Sequence, residues 1–346
     1  MTEDFRYTDL RAAGVRIDTD ASARIEQAAL RLAGENAGRS LHDTDLLHAV
    51  ELAAAALPEA ARKALISFRD EGNTGGCLLL TGLPLGVLPA TPDRLEDEPA
   101  WPEVPVATLV QLMAMSVLGR SFSYQDEKSG HLVQDVCPKK GEEDRQENSG
   151  SVLLELHTED GFHPHPPHFL SLLCLRGDSE GTAATVTGSV LDALPLLDDE
   201  TVSVLRAPEF RTRFSTSFLP DETVEVLTDP MPVLTGPDRC PELHVDFHGT
   251  VAQTPRAERA LDRLEQAMRR SLKGIVLRPG DLVVVDNRRA VHGRTGFTPR
   301  YDGQDRWLRR SFAVSDLRPV NDRLNEGRSH VPVVTAGDPR LAATTA

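Results

Sequence analysis

The run Leu154-Glu155-Leu156-His157-Thr158-Glu159 sets an imidazole two positions from a carboxylate. On a strand, side chains at i and i+2 point to one face, so His157 and Glu159 converge; on a helix the pair diverges. An imidazole beside a carboxylate makes two of the three groups of the two-histidine, one-carboxylate set that holds non-haem Fe(II). A strand-edge salt bridge is the plainer alternative. A third group lies further on. Pro279–Asn287 reads as a turn, a buried strand and another turn, and Arg288-Arg289-Ala290-Val291 then leads to His292-Gly293. A histidine one short turn past a buried strand suits a third ligand at a barrel mouth, although alone it reads as an ordinary core or loop histidine.

Arg306-Trp307-Leu308-Arg309-Arg310-Ser311-Phe312 reads as one strand whose even face carries Arg306, Leu308, Arg310 and Phe312. Two guanidiniums on an otherwise apolar face are costly to bury unless each meets an anion. The planar arginine fork suits a carboxylate; snorkelling from a solvated edge strand is the alternative. His163, His165 and His168 crowd another loop, but Pro164, Pro166 and Pro167 hold it extended and splay the rings. That loop reads as the rim of a pocket rather than a metal site.

The elements that must position these groups change in texture along the chain. The first 120 residues read mostly as helix: Asp20–Leu32, a second stretch opened by Ser40, and Val106–Leu118 after the Pro-rich segment Ala90–Pro105. Cys77–Leu80 is an apolar run of strand length. Short apolar runs bounded by Gly, Pro and Asp then recur at Ser151–His157, Phe169–Leu175, Val224–Leu227, Ile275–Leu277, Leu282–Val285 and Trp307–Val314. Such runs read as strands of a sandwich or barrel. One amphipathic helix, Ala257–Leu272, interrupts them, and 317–346 reads as a polar tail. With no convincing linker, residues 1–346 read as one domain: helical elements to about residue 120 packed on a β core of about 75–315.

The chain has 346 residues, and 38 basic against 53 acidic side chains leave a formal charge of −15. That balance speaks against nucleic acid or an anionic membrane as partner, because phosphate-binding surfaces are basic. No apolar run approaches the roughly 20 residues that span a bilayer. Met1-Thr2-Glu3-Asp4 does not open like a signal peptide. Cys77, Cys137, Cys174 and Cys240 lack CxxC spacing and read as reduced thiols of a cytoplasmic protein. Oligomeric state leaves no mark on this sequence.

Together, His157–Pro164, Leu172–Asp178, Asp286–Gly293 and Arg306–Phe312 resemble the Fe(II)/2-oxoglutarate-dependent oxygenases of the clavaminate-synthase-like group, and within it the amino-acid hydroxylases of the asparagine and arginine type. The resemblance spans about Gly75 to Val314. It implies an α+β fold, with a double-stranded β-helix or jelly-roll core and flanking α-helices. It implies Fe(II) held by His157, Glu159 and His292, and 2-oxoglutarate held by Arg306, fourteen residues past the distal histidine. It implies that Arg310 meets the substrate α-carboxylate. Glu127, Asn148 and Asp246 match further substrate contacts: carboxylates for an ammonium, and an amide for a polar side chain. Where an arginine-specific pocket of this group presents a pair of acids, this chain has His244 beside Asp246.

The expected activity is therefore hydroxylation of a free polar L-amino acid, asparagine first and at Cβ, with Fe(II), 2-oxoglutarate and O2, giving succinate and CO2 in natural-product biosynthesis. Arginine, lysine and histidine follow as alternative substrates. A closing lid is expected over Arg211–Asp229, around Pro220-Asp221-Glu222. More remote readings are a zinc hydrolase, since two histidines and a glutamate also describe catalytic zinc, and a non-catalytic jelly-roll binding protein.

Overall fold

The structure, a computed structural model, describes residues 5–94, 97–125, 127–147, 149–219 and 225–318. Asn148, the Pro220–Glu222 centre of the expected lid and residues 319–346 of the expected tail lie outside the described residues.

The N-terminal helices start where side chains can satisfy the free N–H groups of a first turn. Asp18 accepts from Ala21 N and opens Thr19–Glu35. Asp43, not Ser40, opens the second helix, Thr44–Ala53, because its carboxylate accepts from both Asp45 N and Leu46 N. These helices and Glu59–Asp70 surround a fourth, Pro105–Leu118. That fourth helix is apolar on nearly every side and is buried from Val106 to Met115, as a helix with neighbours all round must be.

Two mixed sheets follow. The larger runs in the order Val15–Arg16, Cys77–Thr81, Leu282–Asp286, Phe169–Arg176, Trp307–Val314, Arg120–Phe122, and Val133–Val136 also pairs with Trp307–Val314. The smaller runs Thr8–Asp9, Lys273–Val276, Ala184–Ser189, Ala290–Arg294, Leu154–His157. Leu79, Leu170, Leu172 and Val283 of the larger sheet share one apolar layer with Ile275 and Ala290 of the smaller. Across that layer, Thr187 Oγ1 donates to Cys77 Sγ at 3.2 Å. The N-terminal helices cover the outer face of the larger sheet. Helix Pro255–Arg270, capped by Thr254, lays Leu264 and Met268 on Val186 and Val291 of the smaller one.

Of the expected strand Val224–Leu227, Val224 lies outside the described residues, and the rest is not a strand: Leu227 forms a single bridge to Arg213, Val226 O accepts from Phe214 N at 2.9 Å, and the Val226 side chain turns into the core. Among the described residues no helix is long and apolar enough to cross a membrane, and all four cysteines are free.

Candidate active site

His157 ends the strand Leu154–His157 and stands directly opposite His292 on Ala290–Arg294. Their ring centroids are 4.3 Å apart. Gly293 permits this approach: a Cβ there would lie 2.7 Å from the Leu154 carbonyl oxygen. The strand stops at His157, so Glu159 does not share a strand face with it as the two-residue spacing suggests. Thr158 N donates to Val245 O at 2.7 Å, and Asp160 adopts φ +48°, turning the chain. Glu159 nevertheless returns to the imidazoles because Asn287 clamps its backbone. Asn287 Oδ1 accepts from Glu159 N at 2.7 Å, and Asn287 Nδ2 donates to the carbonyls of Glu159 and Pro167, both at 2.9 Å.

The electrostatics leave these three groups rich in lone pairs. His157 Nδ1 donates to the Glu155 carbonyl at 2.8 Å, which leaves Nε2 unprotonated in the neutral ring. Burial, with His157 close by, pushes His292 down to about 4, so it is neutral at pH 7. Burial alone would raise Glu159, but the Arg310 guanidinium and the two imidazoles hold it well below the usual carboxylate range. His292 Nε2 is 3.4 Å from Glu159 Oε2, long for a strong hydrogen bond. One ligand atom from each of His157, Glu159 and His292 lies within 4.8 Å of the others. Two imidazoles and one carboxylate that close suit a divalent transition metal.

Arg310 projects from the central strand Trp307–Val314 toward this centre. It donates to Glu159 Oε1 at 2.7 Å, to Gln134 Oε1 from Nε at 3.0 Å, and to Glu127 Oε1. Glu127 is buried, and its second oxygen, Oε2, has no hydrogen-bond partner. Asp246 forms an isolated antiparallel bridge with His157, which sets both side chains on one face. Arg306 is buried and donates to Thr185 Oγ1 at 3.3 Å; burial pushes it down to about 10.

The even face of the central strand turns inward as expected, but the odd face is not solvated. Arg309 is also fully buried, on the helical side, where its Nε donates to Asp135 Oδ1 at 2.9 Å alongside Trp307 Nε1 at 2.6 Å. In the histidine-rich loop, His163 packs on Tyr124 with centroids 4.6 Å apart, and His168 Nδ1 accepts from Ser315 N at 3.0 Å. Among the described residues the metal-competent group is His157, Glu159 and His292, and it includes none of the loop histidines. Sequence reasoning missed Asn287, Gln134 and Arg294. The first two bear no charge to flag them, and Arg294 lies in the Arg-rich run that flanks His292.

Residues 106–312 match the model of the taurine catabolism dioxygenase TauD, TfdA family. The chain belongs to this family. As a TauD/TfdA enzyme it is an Fe(II)- and 2-oxoglutarate-dependent dioxygenase, which sets aside the zinc-hydrolase and non-catalytic readings. Among TauD/TfdA relatives it is 41% identical over 304 residues to the L-asparagine oxygenase of Streptomyces coelicolor, covering 88% of this chain and 90% of that one. It is 35% identical over 265 residues to clavaminate synthase 2 of Streptomyces clavuligerus, covering 76% and 81%. A crystal structure of asparagine oxygenase with Fe(II), 2S,3S-3-hydroxyasparagine and succinate superposes with TM-score 0.87 at 40% identity, covering 93% of this chain and 99% of that one.

Proposed function

We propose that this dioxygenase hydroxylates free L-asparagine, or a closely similar polar amino acid, at Cβ, in natural-product biosynthesis in the cytoplasm. The convergence of His157, Glu159 and His292 beside the Arg310–Glu127 ion pair carries the proposal. The two facing sheets are read as a double-stranded β-helix, which positions the two histidines on its smaller sheet and Arg310 on its larger one, with Glu159 on the turn that follows His157. Held by His157, Glu159 and His292, iron would supply the oxidising chemistry by which 2-oxoglutarate and O2 give succinate, CO2 and a hydroxylated amino acid.

The chain's own residues orient that chemistry. His157, Glu159 and His292 hold the ion from one side and leave the other side to cosubstrate and O2. Arg306, buried without an acidic partner among the described residues, takes the distal carboxylate of 2-oxoglutarate. Arg310 and Glu127 present opposite charges to a zwitterion: the guanidinium to the α-carboxylate, the carboxylate to the α-ammonium. Asp246, on the face of His157, accepts from a side-chain amide, with Asn148 as the second polar contact. His244, which burial keeps neutral, offers no second acid for a guanidinium, so arginine, lysine and histidine rank behind asparagine. The flanks of Arg211–Asp229 pack Phe214 and Phe218 on Phe162, with centroids 4.7 and 5.1 Å away, which supports a water-excluding lid there.

The test is a screen of the proteinogenic amino acids for substrate-dependent succinate formation, with mass detection of a product heavier by one oxygen. Asparagine should give both signals. Succinate that rises with none of the amino acids would defeat the proposal.

A further inference from the structure

Beyond His157, Glu159 and His292, a second cluster of buried polar side chains lies between the two sheets. Arg294 lies two residues past His292, on the same face of its strand, and Arg306 enters from the opposite sheet. They are only 4% and 5% exposed. Both guanidiniums lie against one ring, 5.0 and 5.8 Å from the Phe297 centroid. Thr185, the cross-strand partner of Arg294, accepts from Arg306 Nη2. Arg294 Nη2 donates to the Val152 carbonyl at 2.8 Å, while its buried Nε has no partner. Among the described residues no carboxylate forms an ion pair with either arginine. Two buried positive charges without an anion are costly, and an unsatisfied N–H adds to that cost.

We propose that Arg294 is a second cosubstrate-binding residue, which grips the distal carboxylate of 2-oxoglutarate together with Arg306 and Thr185. The proposal rests on the reading that this carboxylate lies at Arg306. Spacing supports it independently. Two strand residues advance about 6.6 Å, comparable with the reach of an extended five-carbon diacid whose oxo-acid end lies at the His292 metal position. A carboxylate has lone pairs enough for two guanidiniums, and the free Nε–H of Arg294 supplies a donor that Arg306 alone does not. The alternative is that Arg294 merely ties down the Val152 carbonyl.

The experiment titrates Fe(II)-loaded enzyme without O2, following the visible charge-transfer band. The ligands are 2-oxoglutarate and 2-oxopentanoate, which shares the oxo-acid end but lacks the distal carboxylate. Arg294→Gln should weaken 2-oxoglutarate about ten- to hundredfold, the scale of a charge-assisted hydrogen bond. It should leave 2-oxopentanoate within about twofold, with melting temperature verifying the fold. Arg294→Lys keeps the charge but loses the fork; a selective loss above about fivefold there decides the matter should the glutamine variant not fold. Loss of both ligands alike, or 2-oxoglutarate affinity within about twofold of wild type, overturns the assignment. Arg306→Gln separates the two levels of the argument. If it loses 2-oxoglutarate while Arg294→Gln does not, only the Arg294 inference fails. If wild-type enzyme gives no band with either ligand, the cosubstrate reading fails and takes the inference with it.

Discussion

Arg310 donates to Glu159 Oε1 at 2.7 Å, on the carboxylate oxygen that does not face His292. One guanidinium thereby touches both Glu159, of the metal-competent group, and Glu127, with which it pairs directly. The proposed seat of the substrate α-carboxylate is thus wired to the metal centre. Arg310 should require a free α-carboxylate, so amino-acid amides and amino acids esterified to a carrier thiol should not turn over. Competition assays with asparagine and its α-amide check this. Efficient turnover of the carrier-tethered form would remove Arg310 from its role.

The three proposed metal ligands should be separable from the fold. His157→Ala, Glu159→Ala and His292→Ala should each abolish turnover and reduce iron content while circular dichroism remains that of wild type. His165→Ala and His168→Ala should keep stoichiometric iron. A His292→Ala variant with normal iron-dependent activity would refute the assignment.

Asn287 should matter through Glu159 rather than by touching substrate. Its side chain makes three hydrogen bonds that fix the chain after the His157 strand. Partners of this kind typically alter metal affinity about ten- to hundredfold. Asn287→Ala should therefore weaken Fe(II) binding on that scale in an equilibrium titration, and Asn287→Asp should recover part of it by keeping the acceptor for Glu159 N. Unchanged affinity in the alanine variant would make the clamp dispensable.

The convergence of His157 and His292 and the inward face of the central strand were legible because charge on an apolar pattern is conspicuous. His157, His292, Arg306 and Arg310 all announce themselves against Leu, Val and Phe. The turn that carries Glu159 was not legible, since the left-handed Asp160 and the clamp from Asn287 come from distant or uncharged residues. The burial of Arg309 left no such mark, because its odd face is made interior by the covering helix Pro105–Leu118, distant in sequence.

That burial gives a stability prediction. Removing one partner of a buried ion pair leaves the other charge without compensation and costs about 3–5 kcal/mol. Asp135→Ala should lower unfolding free energy by that order in urea, since it also strips the acceptor from Trp307 Nε1. A loss below about 1 kcal/mol would show that the pair is screened by water.

Asp246 is the residue on which substrate choice should turn. It shares a face with His157 through their bridge, and its Oδ1 already accepts from His248 N at 2.9 Å, which steadies the carboxylate. Its proposed task is to meet a donor on the substrate side chain, whereas 2-oxoglutarate is proposed to lie with Arg306 on the opposite sheet. Asp246→Ala should therefore cut kcat/KM for asparagine by about tenfold or more, the scale of one hydrogen bond to a charged group. The anaerobic affinity for 2-oxoglutarate should stay within about twofold. Removing the acid also removes the penalty that an apolar side chain meets there, so an amino acid such as leucine should gain relative to asparagine. A parallel loss of cosubstrate affinity would mean that Asp246 acts through His157 and the metal instead of the substrate.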